Sequence, residues 1–261
     1  MECIIGNEKI SYMQMGKADS PYTMVFIHGA TMTGAGMAPL AEQFTDYNCI
    51  VVDLPGHGGS AGETKRTVDE FSESIDLFLQ ELLKNQIISN HITIVGYSMG
   101  GGISFELALK QREEYKRLVI LCSGAGFPGY VPLVDKVRSH PAEEFSSADF
   151  FTHAFGANTT EEQKVFLLDV LNKTKVDDSI GYLDLVAAGT YDKLARANEV
   201  TVPVLIVAGD QDQIVEAGCG INLWKSLQNA FLFIIPFRGH TVIFEELEQV
   251  VKTMKDFCVH N

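Results

Sequence analysis

Residues 92–102 read ITIVGYSMGGG. The first four, Ile92-Thr93-Ile94-Val95, are apolar or β-branched, the composition of a buried strand. Gly96, Tyr97, Ser98, Met99 and Gly100 follow without a break. A chain that passes abruptly from strand to helix needs small residues on both sides of the turning residue. Ser98 is predicted at that turn, in a strained backbone conformation, with its hydroxyl above the sheet and a helix running from about Met99 to Lys110. Backbone N–H groups at such a helix start can face a reacting carbonyl. The plain alternative is an ordinary N-cap serine.

Working outward, apolar runs alternate with helical spacing. Residues 8–16 predict an opening strand and a turn from Gly16 to Pro21. TMVFIHG (23–29) and NCIVVDLPGHG (48–58) are buried runs ending in glycine turns. Val68, Phe71, Ile75, Phe78, Leu79 and Leu82 lie at helical spacing, so a helix is expected over 67–84. KRLVILCSG, VPVLIVAGD and AFLFIIPF are further strands, with helices expected around 216–228 and at the C-terminus. This alternation predicts an α/β fold: a mostly parallel central sheet flanked by helices, joined by right-handed crossovers.

Residues 127–199 break the rhythm. They hold no convincing strand and many aromatics, among them Phe127, Tyr130, Phe145, Phe150, Phe151, Phe155, Phe166, Tyr182 and Tyr191. The segment reads as an inserted helical cap between two core parts, 1–126 and 200–261. Ligands of open α/β sheets bind beyond the carboxyl ends of the strands, where this insertion leaves the sheet. Tyr97, Phe127, Phe151 and Phe155 are expected to contact substrate. Phe151 and Phe155, four apart, would share a helix face. The alternative is that these rings pack the core of the insertion itself.

The chain of 261 residues suits one domain with an insertion, and its formal net charge of −14 argues against nucleic acid or anionic membrane as a partner. A small-molecule substrate is expected instead, with the protein a monomer or homodimer. The five cysteines are scattered, with no C-x-x-C, so free buried thiols are expected and neither a disulfide framework nor a metal site. No cofactor is expected. The N-terminal ten residues lack a basic region followed by a long apolar stretch, and no apolar run approaches the ~20 residues of a membrane span. A cytoplasmic location is expected.

A serine hydroxyl is a weak nucleophile at neutral pH and needs a base. His28 ends a strand, His57 lies in a glycine-rich turn, His91 begins a strand, His140 and His153 fall in the insertion, and His260 is next to the C-terminus. His240 follows the last strand and precedes the last helix, at the same sheet edge as Ser98. The remaining partner is a carboxylate that holds the imidazole tautomer. VLIVAGDQDQIV offers Asp210 and Asp212, one of which is expected to be a turn residue.

The segments FIHGATMTG, VVDLPGHGGS, IVGYSMGGG, VPVLIVAGDQD and FRGHTVIFEE, in this order, resemble the α/β-hydrolase superfamily, in its capped esterase/lipase-like branch. In that family Ser98 would stand at the nucleophile elbow, G-x-S-x-G. The resemblance implies Ser98, Asp212 and His240 as catalytic residues, since the family acid sits in G-x-x-D. It further implies oxyanion-hole N–H groups from Ala30 and Met99, and an ester-like bond cleaved through an acyl-enzyme.

Other chemistries share these motifs. GYSMGG also resembles the menaquinone-pathway lyase that eliminates pyruvate to make 2-succinyl-6-hydroxy-cyclohexadiene carboxylate. That enzyme typically carries an arginine just after SMGG, where this chain has Gly102; Arg238 or Arg138 could substitute. Carbon–carbon-bond hydrolases and cofactor-free haloperoxidase-like esterases share the motifs too. A non-catalytic small-molecule receptor on the same fold is the alternative of another class.

Overall fold

The computed structural model describes residues 1–127, 145–147 and 151–260. The chain opens with an antiparallel hairpin of β1 (Glu2–Ile5) and β2 (Glu8–Gly16). β1 was not expected from the sequence. It has four residues that alternate between exposed and half-buried, the pattern of a short edge strand with little apolar signal.

Three strands follow that are buried at every position: β3 (Thr23–Ile27), β4 (Asn48–Val52) and β5 (Ile92–Tyr97). β6 (Tyr115–Leu121), β7 (Val204–Gly209) and β8 (Ala230–Ile235) complete the sheet. Its order is β1-β2-β4-β3-β5-β6-β7-β8. β2 pairs antiparallel with β4, and the pairs from β4 across to β8 are parallel. Parallel strands covered on both faces explain why the apolar runs are continuous and not alternating.

The helices are α1 (Ala38–Ala41), α2 (Val68–Lys84), α3 (Met99–Leu109), α4 (Glu161–Thr174), α5 (Asp178–Gly189), α6 (Ala217–Ser226), α7 (Val242–Glu245) and α8 (Leu247–His260). α2 begins at a capping box: the Thr67 hydroxyl accepts from the Glu70 N–H and the Glu70 carboxylate accepts from the Thr67 N–H. α3 is buried along its whole length, which fits a helix under cover.

Strand order places the site. From β3 the chain goes to β4 on one side and later to β5 on the other, so a crevice opens beyond the carboxyl ends of β3 and β5. Ser98 and the 28–33 loop both leave the sheet there. The described part of residues 127–199 holds α4, α5 and a short 3-10 helix at Leu194–Glu199, joined by turns. It joins the core through two isolated bridges, Met32 with Lys175 and Gly126 with Asp192. Among the described residues no helix is long and apolar enough to cross a membrane.

Candidate active site

Ser98 sits between β5 and α3 at φ 52°, ψ −121°, a conformation that L side chains rarely adopt. Its neighbours explain how it is tolerated. A Cβ on Gly96 would come within 2.1 Å of the Gly100 carbonyl oxygen, and one on Gly100 within 2.3 Å of the Ile27 carbonyl oxygen. Neither position has room for a side chain, so the two glycines let β5, α3 and β3 close on the turn. The Ser98 N–H donates to the Leu121 carbonyl at 2.9 Å, and the Ser123 hydroxyl donates to the Ser98 carbonyl at 2.7 Å.

The structure brings His240 and Asp212 together at Ser98. The Ser98 hydroxyl lies 3.0 Å from His240 Nε2, and His240 Nδ1 lies 2.7 Å from Asp212 Oδ2. A carboxylate only accepts, so Nδ1 carries the proton and Nε2 presents its lone pair to the serine. Asp212 Oδ1 accepts from the N–H groups of Ile214 and Val215 at 2.9 and 2.8 Å, which fixes the carboxylate plane. Asp210 does the turn work: its carboxylate accepts from the Phe237 N–H, tying the loop after β7 to the loop after β8.

The His240 loop is held from three sides. The Tyr97 hydroxyl donates to the His240 carbonyl at 3.1 Å, and the two rings are 5.2 Å apart. The buried Glu245 carboxylate accepts from the Gly239 N–H, from Thr241 Oγ1 at 2.5 Å and from Thr159 Oγ1 at 3.1 Å. The Thr241 N–H donates to the Ala154 carbonyl at 3.2 Å. Tyr97 is therefore 1% exposed beneath His240 and not on an open wall. Glu245 escaped the sequence reading. Glu245 stands four residues after Thr241, one beyond the capping-box spacing, so no local pattern marked it.

The loop after β3 lies against the serine. A Cβ on Gly29 would stand 3.0 Å from Ser98 Cβ, so Ala30 follows directly beside the nucleophile position. His28 orients this loop. Its Nε2 accepts from the Leu54 N–H at 3.1 Å, so Nδ1–H donates to the Gly29 carbonyl at 2.8 Å. That carbonyl belongs to the same trans peptide as the Ala30 N–H, which points the opposite way. Burial, with the nearby His57 charge, pushes the His28 pKa down to about 3, so the ring keeps its neutral tautomer.

Cys122, Asp212 and His240 bring one ligand-type atom each within 4.8 Å of one another. Burial, and then the Asp212 carboxylate, pushes the Cys122 thiol well above its ordinary range, so it stays protonated. Asp212 and His240 spend their atoms on each other, on two backbone N–H groups and on Ser98, which leaves no ligand set for a metal at this spot. All five cysteines are free thiols.

The insertion aromatics separate. Phe127 and Phe151 are buried, and Phe127 packs 6.2 Å from Tyr191. Phe155 is half-buried and lines an open cavity of about 700 Å³ with Leu168, Lys164 and Gln211. The cavity reaches Asp212 from its outer side and includes neither Ser98 nor His240 in its lining. The shared helix face expected for Phe151 and Phe155 does not form. The chain turns after Phe151, with the Ala154 N–H donating to its carbonyl at 3.0 Å. Tyr130, Arg138, His140 and Phe150 lie outside the described residues.

Residues 22–247 match the alpha/beta hydrolase fold family. The chain belongs to that family. Relatives fall under several names. Pimeloyl-[acyl-carrier protein] methyl ester esterase of Photobacterium profundum is 28% identical over 90% of this chain and 93% of its own. 2-Succinyl-6-hydroxy-2,4-cyclohexadiene-1-carboxylate synthase of Escherichia coli O157:H7 is 39% identical over 57% of this chain and 60% of its own. The enol-lactonase of Burkholderia xenovorans LB400 superposes with a TM-score of 0.84 at 21% identity, over 99% of this chain and 100% of that one. The last likeness concerns the fold alone.

Proposed function

We propose that this α/β-hydrolase-fold protein is a serine hydrolase that cleaves an ester-like bond of a small substrate. The observation that carries the reading is the 3.0 Å approach of Ser98 Oγ to a His240 Nε2 lone pair, with Nδ1–H held on Asp212 at 2.7 Å. His240 takes the hydroxyl proton as Ser98 attacks the carbonyl carbon. The oxyanion that forms accepts from the Ala30 and Met99 N–H groups. His240 then gives its proton to the leaving group, the acyl-enzyme remains on Ser98, and water activated by the same imidazole releases it. Asp212 stays ionised and stabilises the imidazolium. The insertion, 127–199, acts as a cap that sets substrate size. The name of the esterase relative supports ester chemistry.

A second reading is the pyruvate-eliminating lyase, favoured by the 39% identity to the synthase. Two features weigh against it. At Gly102, where the lyase resemblance calls for arginine, a Cβ would already meet the Tyr191 ring at 3.1 Å. Arg238, one possible substitute, is engaged with Glu246 through Nε and Nη2.

The test is a panel of p-nitrophenyl esters of increasing acyl length with a thioester and a lactone, beside an assay of pyruvate release. Ester turnover by the parent is expected, with Ser98→Ala folded and slower by orders of magnitude. Activity of Ser98→Ala within about tenfold of the parent overturns the nucleophile assignment. Pyruvate release without ester turnover moves the assignment to the lyase.

A further inference from the structure

Thr31 follows the oxyanion-loop residue Ala30 and adopts φ 65°, a left-handed conformation that is strained for a β-branched residue. Such a conformation persists only where the surroundings hold it. Here both backbone polar groups of Thr31 are bonded to the insertion. Its N–H donates to Asp184 Oδ2 at 2.9 Å, and its carbonyl accepts from the Val176 N–H at 3.0 Å. The Thr33 N–H adds a bond to the Thr174 carbonyl at 2.8 Å. Asp184 lies on α5 and is fully buried, as is His57 in the loop after β4. A fully buried carboxylate needs a partner.

That partner is His57, whose Nε2 lies 2.9 Å from the same Oδ2. His57 Nδ1 faces the Pro55 carbonyl at 3.0 Å. A carbonyl and a carboxylate both only accept, so both ring nitrogens carry protons and the ring is a cation. We propose that Asp184 is a positioning residue for the oxyanion pocket: paired with doubly protonated His57, it holds Thr31 left-handed and so aims the Ala30 N–H at the reacting oxygen. This rests on the serine-hydrolase reading above. The inserted helix thereby takes part in building the pocket at the far side of the sheet edge.

The groups that face His57 support the charge. Burial alone would lower its pKa, but the Asp184 carboxylate, and at longer range Asp53, raise it above the ordinary histidine value of 6.5. His28, 5.0 Å away ring to ring, is neutral, and the Phe71 ring on α2 carries no charge. Thr64 contacts the other Asp184 oxygen at 3.4 Å. The sign follows. A raised pKa means that the ion pair contributes fully below the ordinary histidine value and fails as pH rises through the folded-state value. A neutral ring keeps its Nε2–H toward the carboxylate and sets the Nδ1 lone pair against the Pro55 carbonyl, so the ion pair is lost and only a neutral-donor hydrogen bond remains on Oδ2.

The experiment compares the parent with Asp184→Ala and Asp184→Asn by kcat, KM, melting temperature and pH profile on the best ester of the panel. It is joined by ¹⁵N NMR of the His57 ring and hydrogen exchange of the Ala30 and Thr31 amides. Asp184→Ala is expected to lose about 10²-fold in kcat with KM nearly unchanged, the scale of one misplaced oxyanion donor. Asp184→Asn keeps an acceptor for Thr31 but not the charge, so it recovers part of that loss. It also lacks the alkaline fall in kcat/KM expected of the parent. The parent ring should show two protonated nitrogens at neutral pH. Both variants keeping kcat within about threefold while melting earlier would overturn the proposal. So would a neutral His57 in the parent. If the parent turns over no ester and Ser98 takes no fluorophosphonate label, the hydrolase reading fails. The NMR measurements, which need no substrate, still decide whether Asp184 holds Thr31.

Discussion

At the scale of single residues, two aspartates two positions apart have different duties. Asp212 spends one oxygen on the Ile214 and Val215 N–H groups and the other on His240. Asp210 bonds the backbone of Phe237 and does not touch the imidazole. Asp212→Asn is expected to lower kcat by orders of magnitude, because an amide in that place favours the wrong imidazole tautomer. Asp210→Asn should change kcat little and lower the melting temperature modestly, the loss of one charge-assisted bond in an exposed loop. Steady-state kinetics on both variants checks this, and a larger kcat loss in Asp210→Asn would reverse the assignment. The sequence alone left the two open, because both lie in the same turn-forming stretch. Only the family pattern G-x-x-D, and then the 2.7 Å contact, separated them.

At the scale of elements, strands and helices were largely legible. α2 spans Val68–Lys84 against an expected 67–84, and α3 ends at Leu109 against an expected Lys110. Their signals are local: helical spacing and a glycine-flanked turn. The insertion was less legible. Phe151 and Phe155 look like an i, i+4 pair, yet the chain leaves the helix between them and sends one ring into the core and the other to a cavity. Phe151→Ala is therefore expected to cost roughly 3–5 kcal/mol of stability, the range for a buried phenylalanine. Phe155→Ala should cost much less, since a half-buried ring loses fewer contacts. Thermal melts of the two variants test the contrast, and equal destabilisation would refute it. β1 was missed for the opposite reason. Four residues with alternate exposure carry too little periodicity to be told from a loop.

At the scale of the molecule, two neighbouring buried histidines give stability opposite dependences on pH. His28 is neutral when folded, with its pKa down at about 3 from 6.5. Between those values the unfolded chain binds a proton that the folded one does not. Stability from His28 is therefore complete above the unfolded value and drains away as pH falls toward 3. His57 runs the other way, since its raised pKa favours the folded state at low pH and that support is lost on the alkaline side. The melting temperature should fall on acidification from neutral pH toward pH 4. In His28→Asn, which removes the titrating ring, that acid slope should be shallower. A slope identical to the parent's would show that carboxylates elsewhere carry the acid response.

What the sequence determined by itself was written in short-range stereochemistry. The glycines about Ser98 exclude side chains by direct contact with the neighbouring backbone, and the buried strands advertise themselves as unbroken apolar runs. These runs with the crossover rule predict a mostly parallel sheet, and the observed strand order carries Ser98, Asp212 and His240 to one edge. Only the tertiary structure decided the rest. His57 and Asp184 stand 127 residues apart, Glu245 reaches Thr159 across 86, and Tyr97 holds the His240 loop from beneath. A lone carboxylate in LDLVAAG has no local partner that would mark it. Its role exists only because packing buries it, and a buried charge is retained only where another part of the chain arrives to neutralise it.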